Sequence, residues 1–530
     1  MKRHFVEVKD GRINSIDPAG KAAHRDTTPI VDLRGSMVFP TFVDLHTHID
    51  KSHTCERSRN PNGSLSGADR STARDAAFWD KDDVFRRMDF SIKCAYAHGT
   101  SALRTHLINM TPRQTELTWP VFAALRTRWA GKVELQAVAL VVLSFFRDAA
   151  AAAKLADTVK AHGGVLGAAV CCAENGGDPE DERTTCERDR DQLLDRVFTL
   201  AAERDLDLDF HVDENGNARA RGLRYIARKA MQHGYQGRVV AGHCCSLAAQ
   251  PPRELARTLQ AAAEARVTVV ALPLVNEWTQ DRDHAARRTP RWRGITLFHE
   301  LRGAGIPVAV ASDNTRDQFY AYGDLDLLDV FGQACRIGHL DRPYADWPAA
   351  VTHVPADAMR LPAHGRISVG GPANLVLLRA RAYSEALSRP QADRVVIRDG
   401  EVLHAAPPEY SELDYAPFGA RLPPAETAAQ AAAAMTNGLS NGQAAREQDG
   451  APAGIGDSVA QSSKRKLAHA FSGFYESDLF PERTQAARSD GASLATLWAH
   501  PRLAMIPALA GFVACAVLLG ALRLSGAAEL

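Results

Sequence analysis

No sign of charge predominates in this 530-residue chain: 63 lysines and arginines are interspersed with 63 aspartates and glutamates. Without a net field or a basic run, nucleic acid is not an expected partner. No Cys-x-x-Cys occurs among the nine cysteines, an odd number set mostly in apolar runs such as Cys171-Cys172 and Cys244-Cys245. Reduced thiols fit that usage, and a zinc nucleobase deaminase of the base-flipping type, which needs a Pro-Cys-x-x-Cys, is excluded. The opening residues MKRHFVEVKDGR carry no apolar core of a secretory leader, so the folded part is expected in the cytoplasm.

What is present is organised as two strand-rich flanks around a long α/β stretch. Phe5, Val6 and Val8, an Asp10-Gly11 turn, Ile13, Ile16, Val31, Leu33 and Val38 predict short antiparallel strands. A related pattern returns at Leu375 to Leu378 and in VVIRDGEVLHA with its Asp399-Gly400 turn. One small β-sandwich built from residues 1–40 and 359–411 is expected, with residues 41–358 inserted between its halves. In the insert, apolar runs at 42–48, 100–107, 133–140, 165–172, 206–212, 238–243, 267–274 and 307–312 alternate with helix candidates at 82–97, 189–204, 218–233, 252–265 and 325–338. Eight such units predict a closed TIM-type (β/α)8 barrel, whose chemistry sits at the carboxyl ends of its strands.

Past residue 412 the composition shifts to Ala, Gln, Gly, Ser and Pro, and a linker that cannot offset its ordering entropy is expected over 412–502. Residues 503–524, LAMIPALAGFVACAVLLGALRL, are uncharged until Arg523 and long enough to span a bilayer. Basic residues on their amino side then predict a tail anchor that holds the barrel on the cytoplasmic face.

The chemistry-bearing stretch is FVDLHTHIDKSH, Phe42 to His53. His46 and His48 stand two apart at a strand end, so both imidazoles can reach one metal ion. Other strand ends carry His211-Val212-Asp213-Glu214, His243 and Asp313, the residue types that a divalent metal, a water and a proton shuttle require. Lys51, directly after HTHID, is expected to pair with Asp50 or Asp44.

Over residues 3 to 410 the chain resembles the amidohydrolase superfamily, in particular the cytosine deaminases and the relatives that deaminate or dealkylate triazine rings. The resemblance rests on His46-Thr47-His48-Ile49-Asp50, Arg104-Thr105-His106, HVDE at 211–214, Gly242-His243, Pro273-Leu274-Val275-Asn276, Arg291-Trp292-Arg293-Gly294-Ile295-Thr296 and Ser312-Asp313-Asn314. It implies that His46, His48, His211 and Asp313 hold one divalent ion, Fe2+ or Zn2+. Strand four ends Val170-Cys171-Cys172-Ala173-Glu174, without the lysine that two-metal members use as a bridge. It also implies that Asp313 and His243 take the proton of a water, and that Glu214 protonates a ring nitrogen of a small heterocyclic substrate.

The pattern departs from a cytosine deaminase where ring recognition is expected. The strand-three end reads Leu140-Val141-Val142-Leu143-Ser144 in place of a glutamine, Asn314 stands for a second aspartate, and Phe319 is the nearby aromatic. Loss of a ring-reading group changes the preferred substrate. Residues 54–80 and 173–188, long segments after strands one and four, are candidates to shape the pocket or to be solvated surface. The expected activity is deamination of a cyclic amidine such as a pyrimidine or triazine. An amidohydrolase that releases an alkylamine or opens a ring amide uses the same residues. A non-catalytic, membrane-tethered binding protein would be expected to lack ligands, and every ligand is kept. Assembly as a homo-oligomer is left open.

Overall fold

The computed structural model describes residues 4–18, 30–171, 189–283, 286–342 and 344–414. The N-terminal alternation forms an antiparallel hairpin of β1 (His4–Lys9) and β2 (Arg12–Pro18). It reverses at Asp10 and Gly11, whose φ angles of 50° and 74° are the left-handed values a tight hairpin turn needs. Val31 and Leu33, expected in a strand, instead lie in a loop that turns back where the Ser36 N–H bonds the Leu33 carbonyl. Among the described residues no strand pairs with them. β3 (Val38–Pro40) then leads directly into the barrel.

The barrel strands are β4 (Phe42–Thr47), β5 (Thr100–Ile108), β6 (Glu134–Leu140), β7 (Val165–Val170), β8 (Leu208–Val212), β9 (Val239–His243), β10 (Thr268–Ala271) and β11 (Val308–Val310). Each of the eight predicted strands is present, all neighbours are parallel, and they stand side by side in chain order. β4 and β5 are buried at every position, as strands covered on both faces must be. The nearly closed ring is joined at its seam by a parallel bridge between Thr47 and Asp313, where the Asp313 N–H donates to the His46 carbonyl at 2.8 Å.

The intervening helices cover the ring. In Gly222–Gln232, Leu223, Ile226, Ala227 and Ala230 recur at i, i+3, i+4 and i+7 and are all buried. Trp119, Phe122, Phe198 and Phe210 fill the space between helices and strands, each contributing on the order of 1.5–3 kcal/mol by burial. The apolar run predicted as a strand over 267–274 stops at Ala271, because Pro273 opens a short helix, Pro273–Thr279, at its first turn.

β12 (Leu375–Leu377), β13 (Val395–Arg398) and β14 (Glu401–Val402) complete an antiparallel sheet with β3, so a strand from each flank shares one sheet. The hairpin joins this sheet at its turn: a Cβ on Gly11 would stand 2.8 Å from the Asp399 carbonyl oxygen. Order extends past the expected start of the linker at 412, since Leu413 is buried against Phe90 and Cys94. The rest of the linker and residues 503–524 lie outside the described residues. Among the described residues no helix is long and apolar enough to cross a membrane.

Candidate active site at the carboxyl ends of the strands

The strand ends converge as the barrel reading requires. His46 and His48 project from the end of β4 and are buried, His211 is the penultimate residue of β8, and His243 is the last of β9. Asp313 follows β11 by three residues. The backbone is turned into the left-handed region at Asp213, His243 and Asp313, with φ of 46°, 65° and 62°. Such conformations are unfavourable for these residues and concentrate where a side chain must be aimed.

Four donor atoms form a close group. His48 Nε2 stands 3.2 Å from Asp313 Oδ1, His46 Nε2 stands 3.6 Å from the same oxygen, and His211 Nε2 stands 3.1 Å from His48 Nε2. Ligands at about 2.0 Å from a tetrahedral ion are separated by about 3.3 Å, which these distances bracket. Both ring nitrogens of His46, Nδ1 of His48 and both carboxylate oxygens of Asp313 are buried without a hydrogen bond. Burial holds His46 and His48 well below the usual imidazole range, so both are neutral with lone pairs to offer. Desolvated lone pairs in this cluster fit a metal site: ligand atoms of His46, His211 and His243, and of His46, His48 and His106, lie within 4.8 Å of one another.

The proton-handling residues lie against that group. Asp213 accepts the Gly222 N–H at 2.7 Å and so ties the end of β8 to the helix that follows. The next residue, Glu214, places Oε1 3.7 Å from His243 Nδ1. The helix opened by Pro273 supplies Asn276, whose side-chain amide lies 2.9 Å from His243 Nδ1 and donates to Glu214 Oε1 at 3.4 Å. Asn276 was visible in the sequence only as part of a matching stretch. A proline two residues after the seventh barrel strand was the signal that a helix turn would present its residues to the site.

A second group missed as site residues lies on β5 and β8. Arg104 donates to Asp209 Oδ2 at 2.9 Å, Asp209 Oδ1 is 3.3 Å from His106 Nε2, and the His106 ring lies 3.9 Å from that of His46. Arg104 and His106 are two apart on one strand and share its inner face, a period that was available to read.

Lys51 departs from its expected role. Asp50 accepts the Ile108 N–H at 2.8 Å and Asp44 the Ser312 N–H at 3.1 Å, while the Lys51 ammonium lies 3.5 Å from the centre of the Phe319 ring. Residues 54–80 are not a bare surface loop. They contain a helix, Leu65–Asp75, and Thr54, Asn60 and Thr72 all bond Gln318 in the loop after β11. The companion segment, residues 173–188, lies outside the described residues.

Residues 123–404 match the model of the amidohydrolase family. The chain is 48% identical over 415 residues to the pterin deaminase of Rhizobium rhizogenes, a match covering 78% of this chain and 90% of that protein. It is 26% identical over 386 residues to the N-isopropylammelide isopropyl amidohydrolase of a Pseudomonas species, covering 70% and 87%. Among solved structures, the 5-methylcytosine deaminase from Klebsiella pneumoniae liganded with 5-fluorocytosine superposes with a TM-score of 0.67 at 23% identity, covering 77% of this chain and 96% of that one. That likeness shows the fold.

Proposed function

The chain belongs to the amidohydrolase family, and from that premise we propose that it is a hydrolase of cyclic amidines that releases ammonia from an amino-substituted heterocycle, with pterin-like fused rings as its first candidate substrates. The observation that carries this reading is the convergence of His46, His48, His211 and Asp313 on one side of Glu214 and His243. The 48% identical pterin deaminase supports the fused-ring substrate. The end of β6, where Leu140, Val141 and Leu143 are buried apolar side chains, offers no amide to the ring's polar edge, which departs from the cytosine deaminase pattern.

A divalent ion, iron(II) or zinc, would be held by His46, His48, His211 and Asp313 and would supply a water whose pKa is lowered from 15.7 toward about 7. The protein's own groups do the rest. Asp313 and His243 accept the proton of the attacking water. Glu214 gives a proton to the ring nitrogen beside the amine-bearing carbon, which makes that carbon the better electrophile. Asn276 keeps Glu214 and His243 in register, and the amine leaves as ammonia once a proton has reached it.

A second reading, release of an alkylamine, is favoured by the 26% identity to the N-isopropylammelide hydrolase. One experiment separates the two. Metal-loaded protein is offered pterin, guanine, cytosine and N-isopropylammelide, and ammonia and isopropylamine are quantified. Ammonia from the fused rings is expected. Isopropylamine alone would replace this reading by the second, and neither amine from any substrate would sink both.

A further inference from the structure

Lys51 is 3% exposed. A buried ammonium is ordinarily matched by a carboxylate, because its desolvation is otherwise uncompensated. Among the described residues no carboxylate oxygen lies within 4.0 Å of Lys51 Nζ, and Nζ donates no hydrogen bond. The nearby carboxylates are engaged elsewhere. Asp317, like Asp50 and Asp44, has other donors: the Asn314 side chain at 2.7 Å and the N–H groups of Phe319 and Tyr320 at 2.8 and 3.1 Å. What Nζ touches is the face of Phe319, a cation–π contact that uses the charge and leaves the N–H bonds open.

The ammonium is carried between two ligand-bearing segments: Lys51 follows His48 by three residues, and Phe319, whose ring it touches, follows Asp313 by six. Lys51 therefore stands between the histidine group and the loop after β11, three residues from a strand-end ligand, with donors uncommitted.

We propose that Lys51 is a specificity-determining residue that donates a hydrogen bond to the ring carbonyl of the substrate, so that the site selects aminoheterocycles in which the amine-bearing carbon and a carbonyl carbon share one ring nitrogen. The proposal rests on the deaminase reading for the identity of the ring. Two features support it. The apolar end of β6 leaves recognition of the ring's polar edge to another residue. A fixed ammonium on the carbonyl oxygen draws electron density out of the conjugated ring, which adds to the effect of the proton from Glu214 and makes the amine-bearing carbon the better electrophile.

The test is binding, so it stands apart from turnover. Full-length protein loaded with zinc is titrated calorimetrically with quinazolin-4-one, which has the ring carbonyl and no amine to lose, and with quinazoline, which lacks the oxygen. Wild type is expected to prefer the carbonyl compound by about tenfold or more, the range of a charge-assisted hydrogen bond. Lys51→Met should abolish the preference while zinc content and quinazoline affinity hold, and Lys51→Arg should retain part of it. Equal weakening of both ligands, loss of zinc from Lys51→Met, or no preference in wild type overturns the assignment. A preference that holds in a protein releasing no ammonia from any aminoheterocycle sinks the deaminase reading and leaves Lys51 as the carbonyl donor.

Discussion

The half of the site proposed to hold the metal and the half proposed to read the ring are made of different material. His46, His48, His211, His243 and Asp313 stand on strand ends or within three residues of them, and the barrel's ladder sets their positions, down to the Asp313 N–H bonded across the seam to the His46 carbonyl. Lys51, Asn276, Gln318 and Phe319 stand on loops and one short helix, held by side-chain hydrogen bonds and ring contacts. The division has a consequence for chemistry. Activation of water tolerates little displacement, so it belongs on rigid elements, whereas loops can be rebuilt for a new ring without moving a ligand.

Changes to the strand-borne half should therefore break the reaction outright. His211→Ala is expected to lose the bound metal and to lower kcat by about a thousandfold or more, since it removes one of four donors and with it the acidified water. Metal content by plasma emission and kcat by ammonia release check this together, and full occupancy with wild-type turnover would remove His211 from the donor set. Glu214→Gln lies at the border of the two halves and should separate them: metal retained, kcat lower by about a hundredfold to ten-thousandfold. An unchanged rate across the pH range would reduce Glu214 to a partner of Asn276.

Changes to the loop-borne half should be milder and should fall on substrate affinity. Gln318 joins the segment after β4 to the loop after β11: Thr72 Oγ1 donates to its Oε1 at 3.0 Å and its Nε2 donates to Thr54 Oγ1 at 3.0 Å. Gln318→Ala is expected to raise KM by about three- to tenfold, the scale of one or two hydrogen bonds, with metal content intact and kcat nearly so. If the metal is lost as well, the two halves are not independent and the contrast drawn above fails.

The same division explains what could be read from the sequence. A strand that ends in a histidine or aspartate is a local pattern, so all eight strands and the convergence of His46, His48, His211 and Asp313 could be anticipated, whereas the 3.7 Å approach of Glu214 to His243 could not. Lys51 could not, because its partner is decided by where the loop carrying Phe319, more than 260 residues away, comes to rest. Residues 54–80 were ambiguous for a related reason. Their polar composition suits solvated surface, whereas the contacts with Gln318 and the buried pairing of Arg57 with Asp75 and Asp83 help make them a packed segment. Asn276 is intermediate: its residue type was visible, while its two contacts depend on a helix that begins where a strand was expected to continue.

The smallest effect is expected farthest from the strand ends, where the flanking hairpin meets the sheet formed by β3 and β12 to β14. Gly11 there has a φ of 74°, which an alanine adopts only with strain, and a Cβ would stand 2.8 Å from the Asp399 carbonyl oxygen, a backbone atom that cannot swing away. Gly11→Ala should destabilise the protein by about 1–2 kcal/mol from these two causes together. Spread over a protein of this size, that lowers the unfolding temperature by only a few degrees, and kcat and KM at 25 °C should be those of wild type. Asp10, at a φ of 50° in the same turn, offers the opposite substitution: Asp10→Gly removes a side chain from a conformation that glycine accepts freely, and should cost little. Thermal unfolding followed by circular dichroism, with ammonia release on the same preparations, decides the matter. A fall in kcat in Gly11→Ala at a temperature where the protein remains folded would mean that the flanks help hold the strand ends in place, and the rigid half of the site would then have to include them.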